Sequence, residues 1–103
     1  MIIENIKIKN FRSGNDIEFD FHKQLNLFVG INGAGKSTIL DALSICLSWV
    51  VKRIEKPNGK GFSITDSDIT INQQNSFLNL QLSLDDETYI VKIAKMLKVK
   101  IPM

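Results

Sequence analysis

Residues 30–37 read Gly30-Ile31-Asn32-Gly33-Ala34-Gly35-Lys36-Ser37, a complete G-x-x-x-x-G-K-[ST] loop. Each fixed position has a physical job. With no Cβ at Gly30, Gly33 and Gly35, the backbone is free to bend tightly and come close to a ligand. The N–H groups of the loop then converge on an anion at the positive end of the helix that follows. Lys36 is placed to reach the β- and γ-phosphates of a nucleotide, and the Ser37 hydroxyl to ligate Mg²⁺.

Such a loop has meaning only between an apolar strand and a helix. Leu25, Leu27, Phe28 and Val29 form the short apolar run of a buried strand that ends at Gly30. Beyond the loop, apolar residues recur at Ile39, Leu40, Leu43, Ile45, Cys46, Trp49, Val50 and Ile54. That spacing predicts a helix from about 36 to 54. Asp41 suits an early turn of it electrostatically, and Lys52 and Arg53 suit the last turn. Lys56-Pro57-Asn58-Gly59 stops it.

The whole chain sets the bounds. Its 103 residues hold at most one domain, with 44% hydrophobic and 23% charged residues and a net charge of +2. That charge is too small to argue for nucleic acid by itself, and no apolar stretch is long enough to span a membrane. The start, Met-Ile-Ile-Glu-Asn, does not read as a signal peptide. A single cysteine, Cys46, excludes an internal disulfide and fits a reducing cytoplasm, where it reads as a packed thiol. His22 stands alone, with no protein-made metal site around it.

Around the central loop the pattern is mostly strand. Ile6 and Ile8 alternate with Asn5, Lys7 and Lys9, and a turn-rich connection runs from Asn10 to Asp16. Ile17, Phe19 and Phe21 alternate with Glu18 and Asp20 as a second strand, pairing with the first as a hairpin. From 52 to 75 the chain turns polar, and Lys52, Arg53, Lys56 and Lys60 read as a solvated basic loop, with a nucleic-acid backbone left open as its partner. Residues 63–70 match no single element. Leu78, Leu80, Leu82 and Leu84 alternate cleanly, Asp85-Asp86-Glu87 turns, and Tyr89, Val91 and Ile93 return.

The N-terminal half resembles a known family. Ile6-Lys7-Ile8-Lys9-Asn10-Phe11-Arg12-Ser13, then Ile17-Glu18-Phe19, then the run from Leu27 through the loop to Asp41-Ala42 are similar to the start of an SMC/RecF-type ATPase head. These ABC-class ATPases serve DNA repair, chromosome maintenance and anti-phage defence, the last including OLD-like and Septu-type proteins. The likeness is specific over 1–54 and loose over 76–96. It implies an α/β fold, the N-terminal lobe of a P-loop NTPase. In that lobe a mixed sheet, one long P-loop helix and an antiparallel hairpin form a single partial domain: strands, loop and helix over 1–54, a polar loop over 55–76, the hairpin over 77–96. It also implies bound ATP and Mg²⁺, with Gly30, Asn32, Gly33, Ala34, Gly35, Lys36, Ser37 and Thr38 around the phosphates and Ser37 on the metal. Asn32 would hold the γ-phosphate and Thr38 line the α-phosphate. Arg12 and Ser13 would lie near the phosphates, although without the resemblance Arg12 reads as an exposed turn residue.

The departures limit that expectation. The family's later acidic pair, which positions Mg²⁺ and the attacking water, is absent, and so is its Ser-Gly-containing signature. Asp85-Asp86-Glu87 sits between alternating strands, not at the end of an apolar run, and Gln73 and Gln74 do not match the spacing of the metal-sensing glutamine. Phosphoryl transfer needs positioned phosphates, Mg²⁺ and an oriented nucleophile. The chain therefore reads as half of a site, binding ATP and hydrolysing it only when completed by a C-terminal lobe and a second copy. Two alternatives stay open: a truncated, non-catalytic remnant or binding module, and a small P-loop kinase or GTPase. The last lacks an Asn-Lys-x-Asp motif and an arginine-rich lid, since Arg12 and Arg53 are the only arginines.

Overall fold

The computed structural model describes residues 1–12, 16–23 and 34–97. Four strands form one sheet: β1 (Ile2–Lys9), β2 (Ile17–Asp20), β3 (Asn75–Leu84) and β4 (Glu87–Met96). Their order is β2-β1-β3-β4 and every pairing is antiparallel. The mixed sheet expected from the sequence is thus antiparallel throughout its described part. The strand expected over 25–29 lies outside the described residues. One long helix among the described residues, α1 (Ala34–Glu55), packs on one face.

Alternation puts the core on that face. Ile6 and Ile8 of β1, Phe19 of β2, and Leu78, Leu80 and Leu82 of β3 are buried, and the register sets Ile6 opposite both Phe19 and Leu80. Ile39, Ala42, Leu43 and Cys46 complete the core from α1 at helical spacing. Of the apolar helix residues expected to face inward, Leu40 is 47% exposed and Ile54 71%. Leu40 lies on the flank of the stripe, and Ile54, in the last turn, lines an open groove of about 780 Å³ with Trp49, Val50, Tyr89, Val91 and Ile93.

Three local features depart from a simple alternating reading. Glu4 is an extra residue between Ile3 and Asn5, and this bulge lets Ile3 pair with Leu82 and pack against the core although it lies an odd number of residues from Ile6. Strand β2 stops at Asp20, not Phe21, because the Asp20 carboxylate accepts the N–H groups of His22 (3.0 Å) and Lys23 (3.2 Å) and starts a helical turn. Phe21 still meets Phe19 edge-on, with ring centres 4.9 Å apart. Third, Phe11 is not a turn residue but fully buried, bridged to Ile69 between two left-handed residues, Asn10 (φ 53°) and Arg12 (φ 59°).

The β3–β4 hairpin closes through Asp85 (φ 52°) and Asp86 (φ 65°), with Leu84 opposite Glu87. Two positive φ values make this a type I′ turn, whose twist matches the strands. The polar stretch after α1 folds back along the helix, with Lys52, Arg53, Lys56 and Lys60 all exposed. The Phe62 N–H donates to the Ser48 hydroxyl (2.7 Å), and the Trp49 indole N–H donates to the Phe62 carbonyl. Of the basic cluster, Arg53 lies over the Trp49 ring and donates to the Pro57 carbonyl (3.1 Å).

Candidate phosphate site

The site is built around the start of α1. Gly35 and Lys36 are half-buried, Ser37 is exposed and Thr38 is 4% exposed, directly before the first core residue of the helix, Ile39. Apolar anchoring from Ile39 onward fixes the axis of α1, and with it the direction of the N–H groups of the first turn. No acidic side chain lies in that turn, so nothing there opposes an anion. Ala34 opens the helix, two residues earlier than the apolar spacing suggests. Asp41 therefore falls in the second turn, too far along for a useful dipole interaction. Gly30, Asn32, Gly33 and Ser13 lie outside the described residues.

Asp41 instead faces Arg12. The Arg12 guanidinium pairs with Asp41 through Nη1 and with Asp68 through Nε, the latter at 3.1 Å. Arg12 also donates its backbone N–H to the Asp68 carbonyl (2.6 Å), and its side chain lies over the Phe11 ring at 5.1 Å. Asp68 is held in turn by the N–H (3.1 Å) and hydroxyl (3.0 Å) of Thr65, the capping box of a short 3-10 turn, Asp66–Asp68. Burial pushes the Asp68 carboxyl up, but the hydrogen bonds from Thr65 and the charge and hydrogen bond of Arg12 outweigh it and hold the group below its ordinary value.

This arrangement joins three parts of the chain that sequence reading kept apart: the exit of β1, the second turn of α1 and residues 65–70. One further bond strengthens the join, from Thr70 N–H to the Asn10 carbonyl (3.0 Å), and beside it the buried Ser76 hydroxyl of β3 donates to the Lys9 carbonyl (3.2 Å). Asp68 went unnoticed in the sequence because its partner Arg12 lies 56 residues away. The one available signal was local: Thr65 with Asp68 three residues on is a capping pattern. Elsewhere, Glu4, Glu18, Asp20 and His22 line a small polar pocket. Among the described residues, however, no group of three such side chains is close enough to hold a metal ion. Asp85 and Asp86 are confined to the hairpin tip, and Gln73 and Gln74 are exposed ahead of β3.

A profile of the AAA domain family matches residues 5–101. The chain belongs to that family. The relatives of this AAA domain include the DNA double-strand break repair Rad50 ATPase of Thermococcus kodakarensis, 43% identical over 72 residues covering 63% of this chain. The Rad50 ATPase of Methanococcus maripaludis is 36% identical over 95 residues, 89% of this chain. The DNA replication and repair protein RecF of Lactococcus lactis is 46% identical over 43 residues, 42% of this chain. The matched stretch makes up 8%, 8% and 12% of these relatives respectively, so the AAA domain described here corresponds to a small part of each. The resemblance to SMC/RecF-type ATPases drawn from residues 6–42 agrees with these relationships.

Proposed function

We propose that this AAA domain is the P-loop lobe of an SMC/RecF-type ATPase and binds Mg-ATP through residues 30–38, with Arg12 and Ser13 beside the phosphates. The observation that carries the reading is the octapeptide 30–37 running into a 22-residue helix whose first turn holds Lys36 and Ser37 and no carboxylate. The donor set fits the ligand. Helix N–H groups and a lysine suit phosphate oxygens, and a serine hydroxyl suits Mg²⁺, which prefers hard oxygen ligands. Bound Mg²⁺ would neutralise phosphate charge. The lobe's own task is to hold and orient the triphosphate at the head of α1.

Hydrolysis in this reading requires a second lobe and a second copy, because the family's later acidic pair is absent from the sequence and, among the described residues, Asp41 and Asp68 are both paired with Arg12. The names of the Rad50 and RecF relatives support a role in DNA repair, with DNA as a partner of the completed protein, and the lone Cys46 supports a reducing cytoplasm. Among the described residues no helix is long and apolar enough to cross a membrane. Calorimetric titration of the chain with Mg-ATP tests the proposal. Binding that Lys36→Ala abolishes is expected, and equal binding by both proteins would sink it.

A further inference from the structure

We propose that Asp68 is a positioning residue of the nucleotide site, holding Arg12, together with Asp41, against the face of α1 that carries Ser37. The inference rests on the reading of residues 30–38 as a phosphate site. Asp41 follows Ser37 by four residues, so the two lie on one helix face a single turn apart, on the order of 6 Å. A guanidinium bound to Asp41 therefore stands next to the metal-ligating hydroxyl. With Nε given to Asp68 and Nη1 to Asp41, its Nη2 amino group has no partner among the described residues and carries two further donors suited to an anion.

The conformation of Arg12 is costly, and the contacts around it hold it in place. Arg12 is left-handed at φ 59°, and that conformation costs a long side chain about 1–2 kcal/mol. The Asp41–Arg12 pair is 40% and 43% exposed, and such pairs return about 0–1 kcal/mol. Backbone strain held by its surroundings in this way is characteristic of functional sites. Asp68 has the construction of a fixed post: its side chain is 15% exposed and gripped by Thr65 on the side away from Arg12.

The sign of one substitution separates positioning from plain charge. If Asp68 were only a negative charge near the phosphates, Asp68→Asn would tighten Mg-ATP binding. A positioning role predicts the reverse. Asp68→Asn should weaken Mg-ATP by about fivefold, within the coupling range of side chains in one ion-pair network. In an Arg12→Ala background the same change should not weaken binding. Calorimetry on the four proteins gives this cycle, and Asp68→Glu should recover part of the loss. Tighter binding by Asp68→Asn, or equal weakening in both backgrounds, overturns the inference and leaves the phosphate site standing. Binding indifferent to Lys36→Ala sinks both. Should Asp68→Asn fail to fold, Asp41→Asn carries the same cycle with the same outcomes, since that carboxylate has no part in the 3-10 turn.

Discussion

A methyl group at Gly61 tests how tightly the polar return after α1 is packed on the helix. A Cβ there would lie 2.4 Å from the Ser48 hydroxyl oxygen, 2.5 Å from the Trp49 backbone nitrogen and 2.7 Å from the Ser48 carbonyl carbon. Real Cβ atoms essentially never come within 3.0 Å of such neighbours. The hydroxyl can swing away, but only by giving up the N–H of Phe62. The two backbone atoms belong to the hydrogen-bonded interior of α1 and cannot retreat. Gly61→Ala must therefore lift the return from the helix. Overpacking costs about 1–3 kcal/mol, and the lost hydrogen bond about 0.5–1.5 kcal/mol. A loss of about 2 kcal/mol lowers the melting midpoint of a domain this size by roughly 8–16 °C. Thermal melts followed by far-ultraviolet circular dichroism read it directly. Adding Ser48→Ala removes only the hydroxyl contact, so the double variant should stay well below wild type. A Gly61→Ala midpoint within about 2 °C of wild type, or full recovery on adding Ser48→Ala, would refute the reasoning.

Three other outcomes follow from local geometry. Asp86→Gly should raise the midpoint by a few degrees, since the φ of 65° at Asp86 suits glycine and Asp-Gly is a favoured type I′ pair; an unchanged or lower midpoint in the same melts counts against the turn. Burial pushes the Cys46 thiol up to about 12, so a thiol-specific chromogenic reagent at pH 8 should label the chain only after denaturant is added, and prompt labelling of native protein contradicts its burial. The Asp68 carboxyl is held below its ordinary value of 3.8, so its contribution is present above that pH and is lost as pH falls through the lower folded value. The midpoint gap between wild type and Asp68→Asn should therefore close under acid, and a gap that widens on acidification rules this out.

Where the sequence was legible, one interaction dominated. In β3, alternate leucines from 78 to 84 specify a strand because a one-residue slip would turn every one of them to solvent. The start of α1 was legible because the phosphate loop and the apolar stripe point to the same boundary within two residues. The bulge at Glu4 was not, since one extra residue leaves no mark on composition and shows only when Ile3 is found opposite Leu82. Phe11 was misplaced for a related reason. In a run of turn-forming residues its side chain counts for little locally, yet with left-handed residues on both sides it is fully buried, bridged to Ile69.

The candidate site divides along the same line. Lys36 and Ser37 could be assigned roles from the spacing of the loop alone, because consecutive positions in a first helical turn have fixed relative directions; Thr38 owed its role to the resemblance. Arg12 could not. Its setting depends on Asp41, 29 residues on, and Asp68, 56 residues on, and a polar contact across such separations carries no periodic signal. The resemblance placed Arg12 near the phosphates without saying what would hold it there. In the structure two carboxylates, Asp41 and Asp68, hold its side chain. They also account for an arginine in a conformation that favours glycine: anchored at both ends of its guanidinium, Arg12 tolerates a strain that an unanchored side chain would relieve. The part of the site that sequence could not show is thus the part in which the chain departs furthest from its local preferences.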